Sequence, residues 1–277
     1  MSVSPATKLY GVVGDPVAHS LSPLIHNRWI GEAGIDAVYV ALRLQSPDAT
    51  ADFRSLARAG ISGLNITLPH KAAALAAASA SSPDAKRIGA ANTLAGESGG
   101  EWTAYNTDIY GFSQAFEHAM EYRKARRVVL IGAGGAARAA ALVLSGLGVE
   151  LAIVNRSKAN AVALADELAR GAETADLDQL PKLAEGADIV VNSASLGHAG
   201  ASLPALPAGR GRPFLDMTYG KAAAGTLEAA RSAGWAPHDG LRMLVSQAAA
   251  AFKIWFEITP ETAGALAACE AAVAARR

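Results

Sequence analysis

The chain lacks most of what would tie it to an oxidising compartment, a nucleic acid or a membrane. Its 277 residues include one cysteine, Cys269, so no internal disulfide framework can form; a reducing compartment, the cytoplasm, is expected. Neither sign of charge is in excess, with Lys plus Arg and Asp plus Glu at 25 each. No overall field therefore gathers nucleic acid or an anionic membrane. Long apolar runs are missing too. Alanine-rich pieces such as KAAALAAASA are too short and too mild to span a bilayer, and no basic segment followed by an apolar stretch opens the chain. These absences leave a small molecule as the expected partner, with no nucleic acid and no membrane; a monomer or homodimer is expected.

Apolar residues are plentiful, 51% of the total, enough for a substantial core, and the length favours two domains. Apolar runs of four to six residues alternate with longer helix-period segments, the pattern of an α/β protein with mostly parallel sheets. Strands are predicted at 9–13 (LYGVV), 38–42 (VYVAL) and 63–67 (GLNIT). The pattern restarts near residue 105 with a helix from Gly111 to about Tyr122, then RVVLIGAGGAARAAALVLSGLG, where a strand runs into glycines and an alanine-rich helix. Further strands are predicted at 151–155, 188–193 and 213–217, the last after the loop LPALPAGRGRP. From Leu241 onward the chain reads as helix, broken at Thr259-Pro260. Its apolar stripe needs a surface, so it is expected to return to the first domain.

IGAGGAARAA carries the most specific local signal. Gly132, Gly134 and Ala137 fill G-x-G-x-x-G/A between a strand and a helix, the spacing that lets a backbone approach a pyrophosphate at a helix N-terminus. The next strand ends in Asn155-Arg156-Ser157-Lys158 with no carboxylate to accept from a ribose 2′-hydroxyl. Arg156 and Lys158 instead suit a 2′-phosphate, which favours NADP. The plainer alternative is a solvated Arg156 beside a Ser157 helix cap. No metal-binding cluster is expected.

In GLNITLPHK, Asn65 and Thr67 fall two apart on one face of a strand. Lys71 follows in the first turn of a helix, against the helix dipole. A lysine so placed can polarise and protonate a carbonyl if an acid lies near, or it can be a snorkelling surface residue. Asp108 in YNTDIYGF is a carboxylate or an N-cap, Asn92 in GAANTL a ligand or a turn residue. Gln247 interrupts the buried stripe of the last long helix and must find partners, in a cleft or on nearby backbone. In GDPVAHSLSPLIHN, Ser22 reads as an N-cap and Pro23 as the first helical residue. Ser20 adds a second hydroxyl to the same turn, and His19 and His26 read as packing residues.

Taken in order, GDPVAHSLSPLIHN, NITLPHK, AANTL, YNTD, IGAGGAAR, NRS, DMTY and DGLRMLVSQAA resemble the shikimate dehydrogenases from residue 14 to about 250. The resemblance implies two α/β domains. Residues 1–107 with 241–277 would bind substrate, and 108–240 would form a Rossmann-type NADP domain. It also implies reversible, NADPH-dependent reduction of 3-dehydroshikimate to shikimate, with Lys71 as catalytic lysine working with Asp108. Ser20 and Ser22 would hold the substrate carboxylate, and Asn65, Thr67, Asn92, Asp108 and Gln247 its ring hydroxyls, with Tyr219 also on the substrate side. Gly132, Ala133, Gly134, Gly135 and Ala136 would cradle the pyrophosphate. Asn155, Arg156, Ser157 and Lys158 would meet the adenosine phosphate, and Met217 and Gly240 would lie beside the nicotinamide. Asn160 stands where NADP-specific members often carry another basic residue, and Arg242 where glycine is common. The rival readings are a quinate/shikimate dehydrogenase using NAD or both cofactors, and a catalytically silent NADP-binding regulator.

Overall fold

The computed structural model describes residues 3–194 and 203–276. The chain divides into two compact α/β units, Met1–Asp108 with Val245–Cys269, and Ile109–Leu244 with Glu270–Arg277.

The first unit is built on six strands, β1 (Lys8–Gly14), β2 (Ala37–Arg43), β3 (Gly63–Ile66), β4 (Ala80–Ser81), β5 (Thr93–Glu97) and β6 (Glu101–Tyr105), in the order β2-β1-β3-β5-β6-β4. Strands β1, β2 and β3 are parallel, as their apolar runs imply. β5 is antiparallel to both β3 and β6, so the sheet is mixed. TLAGE, with an Ala-Gly pair, and EWTAY, whose alternation runs for only five residues, do not read as strands by pattern, yet together they make a hairpin through Ser98-Gly99-Gly100. That hairpin matters for the site, because Asn92 enters it and Asp108 follows its exit.

Side chains alternate across these strands, so the register assigns each to a face. Val13, Leu64, Ile66, Leu94 and Trp102 pack with Phe53 into one core, where the Trp102 indole donates to the Phe53 carbonyl at 2.7 Å. Tyr10, Tyr39, Gly63 and Asn65 share the other face, since Tyr10 pairs with both Tyr39 and Gly63, and Val12 with Asn65. The helix Leu241–Phe256 lays Trp255 against Tyr10, with ring centroids 5.1 Å apart. A Cβ at Gly63 would come within 2.6 Å of the Trp255 indole nitrogen, so only glycine admits that approach.

His26 lies in this aromatic layer, fully buried and stacked on Tyr39 with centroids 4.3 Å apart. Burial pushes its pKa down to about 3, and the nearby Asn65 amide offsets this only in part. Neither ring nitrogen has a hydrogen-bond partner among the described residues, which fits a neutral ring held by packing. Below pH 6.5 the unfolded chain protonates this ring and the folded chain does not, so stability falls as pH drops toward 3. Between pH 6 and 4 the ring accounts for roughly 2 to 3 kcal/mol of that loss, at about one to two kcal/mol per pH unit. His26→Phe should remove this share, read as a shallower pH dependence of urea unfolding. Equal acid sensitivity of the two chains would contradict a neutral buried His26.

The second unit holds β7 (Arg127–Ile131), β8 (Glu150–Asn155), β9 (Glu173–Asp176), β10 (Ile189–Asn192), β11 (Pro213–Asp216) and β12 (Ala236–His238), all parallel, in the order β12-β11-β10-β7-β8-β9. β7, β8, β10 and β11 are almost wholly buried, as expected of strands covered by helices on both sides. The edge strands ETAD and APH carry no such apolar signal. The order reverses between β7 and β10, and in such sheets ligands bind outside the strand ends at that switch point. No helix among the described residues is long and apolar enough to cross a membrane.

Candidate active site

In the first unit the hairpin and the helix Lys71–Ala77 converge on one polar cluster. Lys71 Nζ stands 2.5 Å from Asp108 Oδ2, with side chains only 15% and 8% exposed. The other carboxylate oxygen accepts from Asn92 Nδ2 at 3.0 Å. That same amide nitrogen reaches Thr107 Oγ1 at 3.0 Å and Gln247 Oε1 at 3.3 Å, and Asn92 Oδ1 accepts the Thr107 N–H at 2.7 Å. Asn92 is thus no mere turn residue but the hub that ties Asp108 to Gln247. Nor does Asp108 act as a cap. It is the first residue of its helix, Asp108–Ala119, its own N–H donates to Asn106 Oδ1 at 3.2 Å, and its carboxylate goes to Lys71 and Asn92.

Asn65 joins the cluster through Thr93, donating to its Oγ1 at 3.1 Å. Thr93 Oγ1 in turn donates to Asn92 Oδ1 at 3.1 Å. Thr67 lies one residue past β3, half-buried, with its N–H on the Val13 carbonyl; among the described residues its hydroxyl stands outside this network. The turn at Ser20 and Ser22 departs from expectation. Ser22 is itself the first helical residue of Ser22–Glu32, Leu21 flanks it, and no side chain caps that helix. Ser20 Oγ accepts the Ser22 N–H at 3.2 Å. Ser22 is buried, its hydroxyl beside the Tyr39 phenol rather than turned outward. Ser20 is half-buried and His19 exposed.

In the second unit Gly132 leaves β7 with φ +105°, a conformation open to glycine, and a Cβ there would lie 2.6 Å from Ser193 Oγ at the end of β10. Gly134 flanks the helix Gly135–Gly146, whose start no side chain caps. A Cβ at Gly134 would meet nothing within 4 Å, so there is room beside the start of this helix, whose first-turn N–H groups have no side-chain cap. Ala133 packs partly against the core. Free amides, a helix dipole and room above a glycine are what a pyrophosphate needs, and the residues fit a dinucleotide.

At the end of β8 Asn155 donates to the Ser157 carbonyl at 3.0 Å. Ser157 flanks the helix Lys158–Leu168 without a side-chain cap bond, and Arg156 and Lys158 are exposed. The sequence places no carboxylate here, but β9 pairs Asp176 with Asn155, and Asp176 Oδ1 accepts the Lys158 N–H at 3.2 Å. A neighbour brought by sheet register cannot be read from local spacing.

Beyond β11, Met217 N–H donates to the Asn192 carbonyl and Gly240 N–H to the Thr218 carbonyl, each at 2.8 Å. A Cβ at Gly240 would lie 2.3 Å from the Met217 carbonyl oxygen, so these two backbones touch. The fully buried Asp216 fixes the turn by accepting from Asn192 Nδ2 at 2.9 Å, from the Thr218 N–H and hydroxyl at 2.8 and 2.7 Å, and from the Thr226 hydroxyl. Sequence reasoning missed Asp216; its only signal was a carboxylate at the end of an apolar strand. Tyr219 follows, half-buried. Arg242 lies near His118 and His238, whose pKa values burial lowers and its charge lowers further. Among the described residues no group of three or more His, Cys, Asp or Glu could hold a metal ion.

Three family models cover most of the chain. The shikimate dehydrogenase substrate binding domain matches residues 12–94, shikimate / quinate 5-dehydrogenase 114–199, and the shikimate 5'-dehydrogenase C-terminal domain 240–270. A shikimate dehydrogenase (NADP(+)) of Hyphomonas neptunium is 46% identical over 97% of this chain and 99% of its own length. The chain belongs to the shikimate dehydrogenase family. The shikimate dehydrogenase of Aquifex aeolicus superposes with a TM-score of 0.88 at 29% identity, over 97% of this chain and 99% of that one. The Thermus thermophilus shikimate 5-dehydrogenase, solved with NADP(H) and shikimate, does so at 0.80 and 33% identity, over 96% and 99%. As in other shikimate dehydrogenases, the fold is a two-domain, Rossmann-type α/β architecture.

Proposed function

We propose that this shikimate dehydrogenase reversibly reduces 3-dehydroshikimate to shikimate with NADPH. The observation that carries this reading is the Lys71–Asp108 pair at 2.5 Å, held on the Asn92–Gln247 amides. NADPH, when bound, supplies a hydride to the substrate carbonyl carbon. Lys71, as ammonium, stabilises the negative charge that grows on the carbonyl oxygen and gives it a proton; in the oxidative direction the amine takes that proton back. Asp108 holds the lysine in place and, with Asn65, Thr67, Asn92 and Gln247, offers hydrogen bonds to the ring hydroxyls. Ser20, half-buried at the helix start, takes the substrate carboxylate; Ser22 joins it only by turning its hydroxyl away from the Tyr39 phenol, and Tyr219 completes the substrate side.

The first unit is thus the substrate unit and the second the NADP unit. There the residues from Gly132 to Ala136 hold the pyrophosphate, Asn155 to Lys158 the adenosine phosphate, and Met217 and Gly240 the nicotinamide. A reducing cytoplasm suits the single, buried Cys269, and the enzyme acts as a monomer or homodimer. The test is direct. Purified protein given shikimate and NADP+ should form 3-dehydroshikimate and NADPH in equal amounts, and a preparation that binds NADPH yet never oxidises shikimate would overturn the reading.

Two further outcomes follow from the assigned roles. Ser20→Ala with Ser22→Ala should raise the KM for shikimate by about tenfold or more, as lost hydrogen bonds to a charged group do, and leave the KM for NADP+ unchanged. If neither constant moves, the turn is only a helix entrance. Asp176→Asn removes a negative charge beside Arg156 and Lys158, so the KM for NADP+ should fall by about two- to fivefold, an exposed charge effect of under 1 kcal/mol. An unchanged or raised KM for NADP+ would separate Asp176 from the phosphate subsite.

A further inference from the structure

We propose that Tyr39 is a positioning residue for substrate recognition, setting through Asn65 how the substrate unit presents its hydrogen bonds to the ring hydroxyls. The proposal rests on the assignment of Asn65 to substrate made above. On sequence alone Tyr39 is one aromatic in a buried strand, VYVAL. A phenol that is 2% exposed must still place its O–H on a partner. Sheet register supplies one. Tyr39 on β2 and Asn65 on β3 sit on the same face, on either side of β1 and one residue pair apart along it. The tyrosine side chain spans the intervening strand, and its Oη donates to Asn65 Oδ1 at 2.7 Å.

A carboxamide can face either way, and its partners decide which. Burial raises the Tyr39 pKa well above its usual value, so the phenol stays protonated and acts as a donor. Asn65 therefore turns its oxygen to Tyr39 and its NH2 to Thr93 Oγ1 at 3.1 Å and the Asn92 carbonyl at 3.4 Å. Reversed, Asn65 would oppose its oxygen to the Asn92 carbonyl and its NH2 to the phenol hydrogen. The orientation is passed on: Thr93 donates to Asn92 Oδ1, and Asn92 donates to Asp108. His26, stacked on the Tyr39 ring at an interplanar angle of 10°, fixes the plane of that ring. Ser22 lies beside the same phenol, so one side chain links the serine turn to the amides that meet the Lys71–Asp108 pair.

The experiment is a double-mutant cycle on Tyr39→Phe and Asn65→Ala, with kcat and KM measured for shikimate, KM for NADP+, and the unfolding midpoint as a check on folding. Tyr39→Phe should raise the KM for shikimate by about tenfold, the cost of a buried amide oxygen losing its donor. It should leave kcat within about twofold and the KM for NADP+ unmoved. In the Asn65→Ala background the same substitution should change the KM for shikimate by less than about twofold, because coupled residues are not additive. A raised KM with Asn65→Ala and none with Tyr39→Phe would overturn the proposal and leave the substrate site standing. An equal rise in both backgrounds would overturn it too, since Tyr39 would then act on the structure and not through Asn65. An unchanged KM with Asn65→Ala would remove Asn65 from the substrate site, and Tyr39 with it.

Discussion

Lys71→Ala should lower kcat for shikimate oxidation by about 10²- to 10⁴-fold, the usual contribution of a positioned acid–base group, while the KM for shikimate changes only a few-fold. The lysine interacts with substrate most strongly when charge sits on the carbonyl oxygen, so its loss is felt in the transition state and less in the ground state. The substitution also leaves Asp108, 8% exposed, facing Asn92 without a cation. Removing one partner of a buried pair destabilises the folded chain by about 3–5 kcal/mol in well-packed cases. The unfolding midpoint must therefore be measured beside the rates, and a folded Lys71→Ala protein with normal turnover would remove Lys71 from the chemistry.

Gly134→Asp has the second large expected effect, and it falls on the cofactor alone. The position tolerates a side chain, since a Cβ there meets nothing within 4 Å and φ is −86°. The protein should fold, with melting close to that of the parent. What fails is anion binding, because a carboxylate would stand at the mouth of the helix Gly135–Gly146 where a pyrophosphate is to lie. Like charges about 4 Å apart near a protein surface repel by about 4 kcal/mol, so the KM for NADP+ should rise by two orders of magnitude or more, at about 1.4 kcal/mol per tenfold. The dissociation constant for shikimate should stay as it was. Normal NADP+ affinity in the variant would move the cofactor away from this loop.

How far the sequence could be read depended on whether a feature is local. Strands β7, β8, β10 and β11 carry continuous apolar runs and were legible, as was the Gly132–Gly134 turn between strand and helix. The hairpin β5–β6 and the edge strands β9 and β12 were not, because each is a run of three to five residues with only one or two apolar side chains on its buried face, held in place by its neighbours. The same division runs through the site. Lys71 and Asp108 stood out singly, each with an ordinary structural reading beside it; their meeting at 2.5 Å depends on where the hairpin delivers the chain. Tyr39, Thr93, Thr107 and Asp176 gain their partners only from register and tertiary placement. The serine turn shows the converse. SLSP reads as a serine cap, but the helix begins at Ser22 itself, and Ser20 takes the N–H that Ser22 presents.

The quinate/shikimate dehydrogenase differs from an NADP-dependent shikimate dehydrogenase in cofactor and in substrate, and the silent regulator in having no turnover, so one comparison separates them. It is kcat/KM of the purified chain for NADP+ and for NAD+, with shikimate and with quinate. Arg156 and Lys158 at the end of β8 predict that, with shikimate, NADP+ exceeds NAD+ by about tenfold or more, the value of a charge-assisted contact to a 2′-phosphate, and the assignment as a shikimate dehydrogenase predicts that shikimate exceeds quinate with NADP+. Equal efficiency with NAD+, or quinate oxidised as well as shikimate, would contradict an NADP-dependent shikimate dehydrogenase.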